Sequence, residues 1–202
     1  MKYSIIMPYY KRTELRFTLD TFVEFYKDRD DFEVLIVEDF KNSSNHSMHD
    51  AMLKIIDRYK DTIAIRVVVD PKVSYNPSSK YNLGFREAKG DILMITNPEI
   101  PHTVDILGAI DKENINNLYI VCSCKSMYLV EDKGNFRDSS FRFHMWYQHT
   151  RHRDVRYHFC TVVSKSDYGK IGGFNEVFCA GIAYDDDNFV KRIQRANVII
   201  LP

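Results

Sequence analysis

The sequence lacks any excess of charge. Its 28 basic and 28 acidic residues cancel, so it has none of the basic surplus that usually marks a nucleic-acid binder. No run reaches the ~18 consecutive apolar residues that a membrane helix needs. The opening "MKYSIIMPYYKR" has too short an apolar core for a secretory signal and no small-residue cleavage site. The expected setting is cytoplasmic or cytosol-facing, with peripheral attachment to a membrane left open. Neither G-x-G-x-x-G nor G-x-x-x-x-G-K-[ST] occurs, which leaves the Rossmann dehydrogenase and P-loop readings without support. Cysteine is scarce. Cys122, Cys124, Cys160 and Cys179 form no C-x-x-C pair, which speaks against structural zinc and for buried free thiols.

What is present is aromatic and apolar. With 13 Tyr and 13 Phe in 202 residues, the composition is that of a folded chain, long enough for one sizeable core. Short apolar runs read as strands: "YSIIMP", stopped by Pro8, then "FEVLIVED", "IAIRVVV" and "DILMIT". Between them lie segments of helical spacing. One carries Leu15, Leu19, Phe22, Val23 and Tyr26, with Thr13 as its N-cap, and a second carries Met48, Met52, Ile55, Ile56 and Tyr59. The third, "NPSSKYNLGFREAKG", has Asn76 as cap, Pro77 at the first position and Gly90 as the stop. Continuous apolar strands alternating with amphipathic helices imply an α/β fold whose mostly parallel sheet is covered on both faces. In the second half, "LYIVCSC", "KSMYLVE" and "YHFCTVVSK" read as strands. "KIGGFNEVF" reads as a loop, "DDDNFVKRIQRA" as a helix and "NVIIL" as a closing strand. One domain over residues 1–202 is expected, with a nucleotide-binding half (1–100) and an acceptor or catalytic half (101–202).

In a parallel sheet, ligands bind beyond the carboxyl ends of the strands. Three chemically loaded stretches fall at such ends: "MPYYKR", "VEDF" and "TNPEIP". They bring Tyr10, Asp39 and Glu99 towards one crevice. A Tyr ring can stack on a base, and a carboxylate can accept a hydrogen bond from a pyrimidine N–H. A second carboxylate at a loop mouth can hold a hard divalent cation that neutralises a diphosphate. Taken singly, each stretch reads more readily as a polar strand end that meets water; the three together, in this order, do not.

The order of segments resembles family 2 glycosyltransferases of the GT-A fold. "YSIIMPYYKR" is similar to the family's first strand, "IVEDF" to the end of its second, and "YNLGFREAKGD" to its N-x-G helix. "GGFNEVF" and "DDDNF" follow the family's late G-G-F and acidic-helix motifs. The resemblance runs from about residue 3 to residue 201. It implies a Rossmann-like three-layer sandwich and a sugar transfer from a nucleotide-diphosphate donor, a UDP-sugar, to an acceptor hydroxyl with inversion. It also implies site residues. Pro8, Tyr9 and Tyr10 border the base pocket, and Asp39 holds the pyrimidine with Glu38 as its neighbour. Lys80 and Asn82 lie where the family contacts the donor's phosphates or sugar. Asn97 and Glu99 occupy the ends of the metal motif, for Mn2+ or Mg2+. Asp186 matches the general base and Asp185 stands beside it. The acceptor, a glycan, a lipid-linked sugar or a protein, is not named by the sequence.

The chain departs from the family in three places. Its metal motif reads Asn97-Pro98-Glu99 instead of D-x-D, leaving one charged ligand. An N-P-D form is familiar in rhamnosyltransferase-like members, which adds dTDP-rhamnose as an alternative donor. The acidic pair Glu38-Asp39 lacks the following Gly-Ser, and "VIILP" stops before a His that members commonly place near the diphosphate. The last departure suggests a truncated chain or one domain of a longer protein. The rival reading is a non-catalytic GT-A-like module that binds a sugar or partner, or acts as a scaffold.

Other features carry two readings each. "YDDDNF" is equally an acidic helix N-terminus that complements the dipole. Residues 136 to 158 hold His144, His149, His152 and His158, with an H-x-x-H spacing. They read as an acceptor-facing loop, a solvated surface or a metal site. Trp146 is a sugar-stacking platform or a core anchor, and the acceptor region is set at His144, Trp146 and Gly181. The Gly172-Gly173 pair reads as a turn that lets the backbone pass close to a ligand.

Overall fold

The computed structural model describes residues 1–72, 76–181 and 184–202, with all their side chains except that of Asn42. The first half alternates as expected. β1 (Tyr3–Tyr9) leads to α1 (Leu15–Tyr26), and β2 (Phe32–Asp39) to α2 (Phe40–Ser43) and α3 (His46–Asp57). β3 (Ile65–Asp70), α4 (Ser78–Glu87) and β4 (Ile92–Thr96) follow. The second half has α5 (Ile106–Ile110), β5 (Leu118–Val121), β6 (Cys124–Glu131), β7 (Ser140–Gln148), β8 (Cys160–Ser164) and α6 (Lys165–Ile171). A 3-10 turn (Glu176–Ala180), α7 (Asp185–Arg195) and β9 (Ile199–Leu201) complete the order.

Seven strands form one sheet in the order β3-β2-β1-β4-β8-β5-β9. β1 pairs parallel with β2 and β4, and β2 pairs parallel with β3. Only β8 is reversed, antiparallel to both β4 and β5, while β9 runs parallel to β5. Successive residues of a strand face opposite sides, and both sides are covered. Ile5, Met7, Val34 and Ile36 pack with Leu15, Leu19, Phe22 and Met52 from α1 and α3. Ile6, Leu35 and Val37 pack with Tyr81, Tyr168, Phe189 and Ile193 from α4, α6 and α7. Burying each such side chain stabilises the fold by ~1.5–3 kcal/mol, so these runs have no solvated face and show no polar alternation.

The reversed β8 matters for function. Its first residue, Cys160, pairs with Thr96, the last residue of β4. Whatever precedes β8 is therefore delivered to the same sheet edge as whatever follows β4.

Four expectations need correction. β1 runs through Pro8, which pairs with Val37 of β2. The β1–β4 pairing ends earlier, at Ile6 with Ile95, so Pro8 costs no ladder bond on that side. Thr13 does not cap α1, which starts at Leu15 with no side-chain cap. Residues 165–171 are helical where a strand end and loop were expected. Ser164 caps that helix by accepting from the Asp167 N–H, and Gly172 ends it in the left-handed region at φ 78°. Within residues 136 to 158, β7 pairs with β6 as a two-stranded ribbon apart from the main sheet. An isolated ribbon is marginal in water. This one is pinned where Gln148 Nε2 donates to the Cys122 carbonyl at 2.6 Å and where Phe141 meets Phe17 edge-on at 5.5 Å. Among the described residues, no helix is long and apolar enough to cross a membrane.

Candidate active site

The site is organised by four consecutive residues at the start of α4. A helix turns about 100° per residue, so neighbours on it point in different directions. Here each reaches a different neighbour at the sheet's carboxyl edge. Ser79 Oγ donates to Asp70 at the end of β3. Lys80 Nζ lies 2.9 Å from Asp39 Oδ2 at the end of β2. Tyr81 Oη donates to Asn97 Oδ1 just beyond β4, at 2.8 Å. Asn82 turns to the loop before α7. The helix can sit this close because of Gly84, where a Cβ would come within 2.4 Å of Ile6 Cγ2 in β1.

Around the base position, Tyr9 and Asp39 are buried and Tyr10 is exposed. Lys11 Nζ stands 5.0 Å above the Tyr10 ring. Asp39 accepts from the Lys41 N–H at 2.8 Å on Oδ1 and pairs with Lys80 on Oδ2. Each oxygen keeps a lone pair for a further donor. Glu38 is fully buried and faces His49 Nδ1 at 2.7 Å, which fastens β2 to α3 and turns this carboxylate away from the Asp39 side. Lys80 is buried, and its ammonium pairs with Asp39.

Asn82 differs from expectation. Its Nδ2 donates to the Phe174 carbonyl at 2.9 Å and to Glu176 Oε1 at 3.0 Å. Its Oδ1 accepts from Tyr168 Oη at 2.9 Å and from the Phe174 N–H at 2.8 Å. All four hydrogen-bonding positions of the amide are used, so Asn82 holds the loop and has none left for a donor's phosphates or sugar. The Gly172-Gly173 turn is corrected by the same contact. Gly173 has φ 67°, and a Cβ there would stand 2.5 Å from Asn82 Oδ1. The backbone passes close to Asn82 at this turn.

At the metal position, Asn97 and Glu99 are both half-buried. Glu99 Oε1 faces an Arg12 guanidinium nitrogen at 3.8 Å, while Glu99 Oε2 is buried without a hydrogen-bond partner. Burial pushes the Glu99 carboxyl above its usual range, and Arg12 opposes this only in part. Asn97 Oδ1 has one lone pair taken by Tyr81 and one left. An orphaned carboxylate oxygen beside a neutral amide oxygen suits a hard divalent cation completed by ligand phosphates and water. Among the described residues, no three His, Cys, Asp or Glu side chains gather as a ready-made metal cluster. The residues present therefore fit a cation shared with a ligand.

The acidic start of α7 completes the site. Tyr184 takes a left-handed φ of 70° immediately before it. Asp185 is buried, and that burial, reinforced by Asp186, raises its carboxyl above the usual range against the pull of His158. Asp186 is about one-third exposed, and its Oδ1 lies 2.6 Å from His158 Nδ1. That contact is too poorly aligned for a hydrogen bond, so Nδ1 has no hydrogen-bond partner. His158 is wedged edge-on against Tyr81 at 4.8 Å and Phe174 at 4.7 Å. The Tyr81 hydroxyl, already desolvated, is pushed far above its usual pKa by burial and then by Asp186 and Glu99. Tyr81 thus sits between Asp186 and Glu99.

Three of these residues were not singled out from the sequence: Tyr81, Arg12 and, as a neighbour of Asp186, His158. Tyr81 lies between two residues that were. Nothing in the spacing ties His158 to residue 186. That link comes from the reversed β8.

His144 and Trp146 lie on β7, away from these contacts. His144 is exposed and packs on Tyr128 at 4.8 Å. Trp146 is half-buried, with His152 stacked at 5.6 Å, His149 at 4.2 Å and Lys125 Nζ at 5.1 Å. It is a surface platform and not a core anchor. Gly181 is exposed, and its N–H donates to the Phe178 carbonyl that ends the 3-10 turn.

A sheet with one reversed strand, carrying its polar residues on the carboxyl edge, is the GT-A arrangement. The chain belongs to glycosyl transferase family 2, whose model matches residues 4–172. Among solved structures, TarS 1–349 of S. aureus in complex with UDP is similar with a TM-score of 0.65 at 18% identity. The match covers 100% of this chain and 58% of that one. The mannosyltransferase PcManGT of Pyrobaculum calidifontis, in complex with GDP-Man and Mn2+, gives 0.67 at 16% identity, over 99% of this chain and 54% of that one. GalNAc-T7 with UDP, GalNAc and Mn2+ gives 0.59 at 11%, over 96% and 40%. At these identities the likeness is one of fold. The chain spans about half the length of TarS 1–349 and PcManGT. No curated protein sequence is significantly similar to it.

Proposed function

We propose that this chain carries out glycosyl transfer from a nucleotide-sugar, with a UDP-sugar as donor and inversion at the anomeric carbon. One observation carries the reading. Asp39, Glu99 and Asp186 come from three separate segments and are tied into one group through α4. Lys80 reaches the first, and Tyr81 borders the other two. The UDP complexes of the similar TarS fold support the choice of uridine. dTDP-rhamnose remains the alternative donor, because Asp39 would meet the same N–H on a thymine ring.

Asp39, fixed by Lys80 and the Lys41 N–H, accepts the pyrimidine N–H. Tyr10 offers an exposed ring for stacking on the base. Glu99, with Asn97 as neutral partner, would hold a divalent cation, Mn2+ or Mg2+, which neutralises charge on the departing diphosphate. Arg12, beside Glu99, adds a fixed positive charge at the same place. Asp186 accepts the proton of the acceptor hydroxyl as its oxygen attacks the anomeric carbon from the side opposite the diphosphate. A single displacement of this kind inverts the centre. Asp185 is buried, so Asp186, about one-third exposed, is the carboxylate open to an acceptor. The acceptor belongs to the half of the chain that carries His144, Trp146 and Gly181.

Two measurements test this. Calorimetry with UDP, with and without manganese, should show metal-enhanced binding. A panel of UDP-, GDP- and dTDP-sugars should then show slow hydrolysis of one donor class. No binding of any nucleotide in either condition would overturn the transferase reading and leave a sugar- or partner-binding module.

A further inference from the structure

We propose that His158 is a positioning residue for Asp186, clamping one carboxylate oxygen so that the other faces the acceptor hydroxyl. The proposal rests on the transferase reading above and concerns how its base is held.

The geometry carries the argument. A carboxylate on a helix's first turn can rotate about two side-chain bonds, and Asp186 is about one-third exposed. Left free, its oxygens would sample orientations that miss an acceptor. His158 removes that freedom. Its Nδ1 is 2.6 Å from Asp186 Oδ1, off the line of a hydrogen bond. Two lone pairs cannot approach that closely, so Nδ1 carries the proton, and a small turn of the Asp186 carboxylate brings it into line. His158 itself cannot drift. Only 7% exposed, it is gripped by the Tyr81 and Phe174 rings. Tyr81 is in turn held by Asn97, and Phe174 by Asn82. A chain of fixed contacts thus runs from the metal position through Tyr81 and His158 to Asp186.

His158 is the more buried member of the pair, which makes Asp186 the one that meets substrate. During transfer the acceptor O–H bond breaks and its proton goes to Asp186 Oδ2. The acceptor oxygen bonds to the anomeric carbon, and the bond to the diphosphate breaks with its electron pair leaving on the phosphate oxygen. His158 keeps its proton on Nδ1 throughout and steadies the charge on Oδ1. The other charged groups facing this pair are Asp185 and, across Tyr81, Glu99.

The test uses His158→Phe, which keeps the ring packing but removes the nitrogen, and His158→Asn, whose amide nitrogen overlays Nδ1. His158→Phe should lower kcat roughly 10- to 100-fold, the cost of a misplaced reacting group. UDP affinity should stay within about threefold, and the donor KM should change little. His158→Asn should recover most of kcat. Imidazole 15N spectra of the wild type should show His158 protonated at Nδ1, with that signal shifted in Asp186→Asn. A wild type that turns over donor while His158→Phe is unimpaired, or a His158 protonated only at Nε2, overturns the positioning role alone. A His158→Asn no better than His158→Phe, with UDP binding intact in both, also overturns it. A wild type that binds no nucleotide overturns the transferase reading and the positioning role with it.

Discussion

Tyr81 Oη donates to Asn97 Oδ1 at 2.8 Å, and the same ring stacks on Phe174 at 4.9 Å and meets His158 edge-on at 4.8 Å. One buried side chain therefore joins the loop after β4, the loop before α7 and the segment before β8. Tyr81→Phe removes only the hydroxyl. It should cost about 1 kcal/mol of stability, the worth of one hydrogen bond. It should also free Asn97 to rotate, which would show as weaker manganese-dependent UDP binding. Thermal melts and calorimetry on the same variant separate the two effects.

Asn82 supports a larger prediction. Asn82→Ala deletes four hydrogen bonds and leaves the Phe174 N–H and carbonyl to find other partners. At about 1 kcal/mol each, with partial relaxation, the loss should be roughly 2–4 kcal/mol. Because the loop leads into α7, donor turnover should fall as well, even where the protein remains folded. Chemical denaturation measures the first effect. A loss under about 0.5 kcal/mol would mean that the loop is held by other contacts.

The buried pair Lys80–Asp39 tests a different energy. Breaking one partner of a buried ion pair leaves an uncompensated charge and typically costs about 3–5 kcal/mol. Lys80→Met should be destabilising on that scale and should weaken UDP binding, because Asp39 is no longer fixed. Lys80→Met combined with Asp39→Leu should regain much of the stability but none of the binding. Full UDP affinity in Lys80→Met would show that the lysine does not position Asp39.

The sheet was legible in the sequence because its signal is local. A run such as "FEVLIVED" is continuously apolar from Val34 to Val37 because helices cover both faces, and the structure makes it β2 over those same residues. The strand ends that carry Tyr10, Asp39 and Glu99 followed from parallel order alone. The ribbon strand β7 was missed because "SFRFHMWYQ" mixes charge and aromatics on both faces, as suits a strand with water on either side. Asn82 was assigned to the donor by analogy, since a sequence does not reveal which side of a helix a lone amide faces. His158 was hidden for a third reason. Its tie to Asp186 spans 28 positions and depends on the direction of one strand, which no local pattern encodes.

Asp186→Asn keeps the shape of the side chain and removes its basicity. Transfer should fall by about 10²–10⁴-fold, the usual contribution of a general base, while UDP affinity stays nearly unchanged. The control is Asp185→Asn, which should be milder in turnover. It should be mildly stabilising near neutral pH, because burial already disfavours that residue's charged form. Unchanged turnover in Asp186→Asn would remove the base from this position.

Under the proposed function, Glu99 couples cation binding to pH and stability. Burial raises its carboxyl above the usual value in the folded chain, so the folded state binds that proton more tightly than the unfolded state does. Stability from this group is then present at low pH and lost as pH rises through the raised value. Glu99→Gln, which cannot ionise, should melt higher than the wild type at pH 7–8, and the gap should close as the pH falls towards 4. In the proposed site the same ionisation would control the cation, because a proton and Mn2+ would compete for the orphaned Oε2. Manganese-dependent UDP binding by the wild type should weaken over the range in which Glu99 takes up its proton. In Glu99→Gln it should be on the order of tenfold weaker, about 1.4 kcal/mol, at neutral pH. Melting curves and titrations across pH 4–8 measure both. Manganese-dependent binding that survives Glu99→Gln intact would place the cation elsewhere.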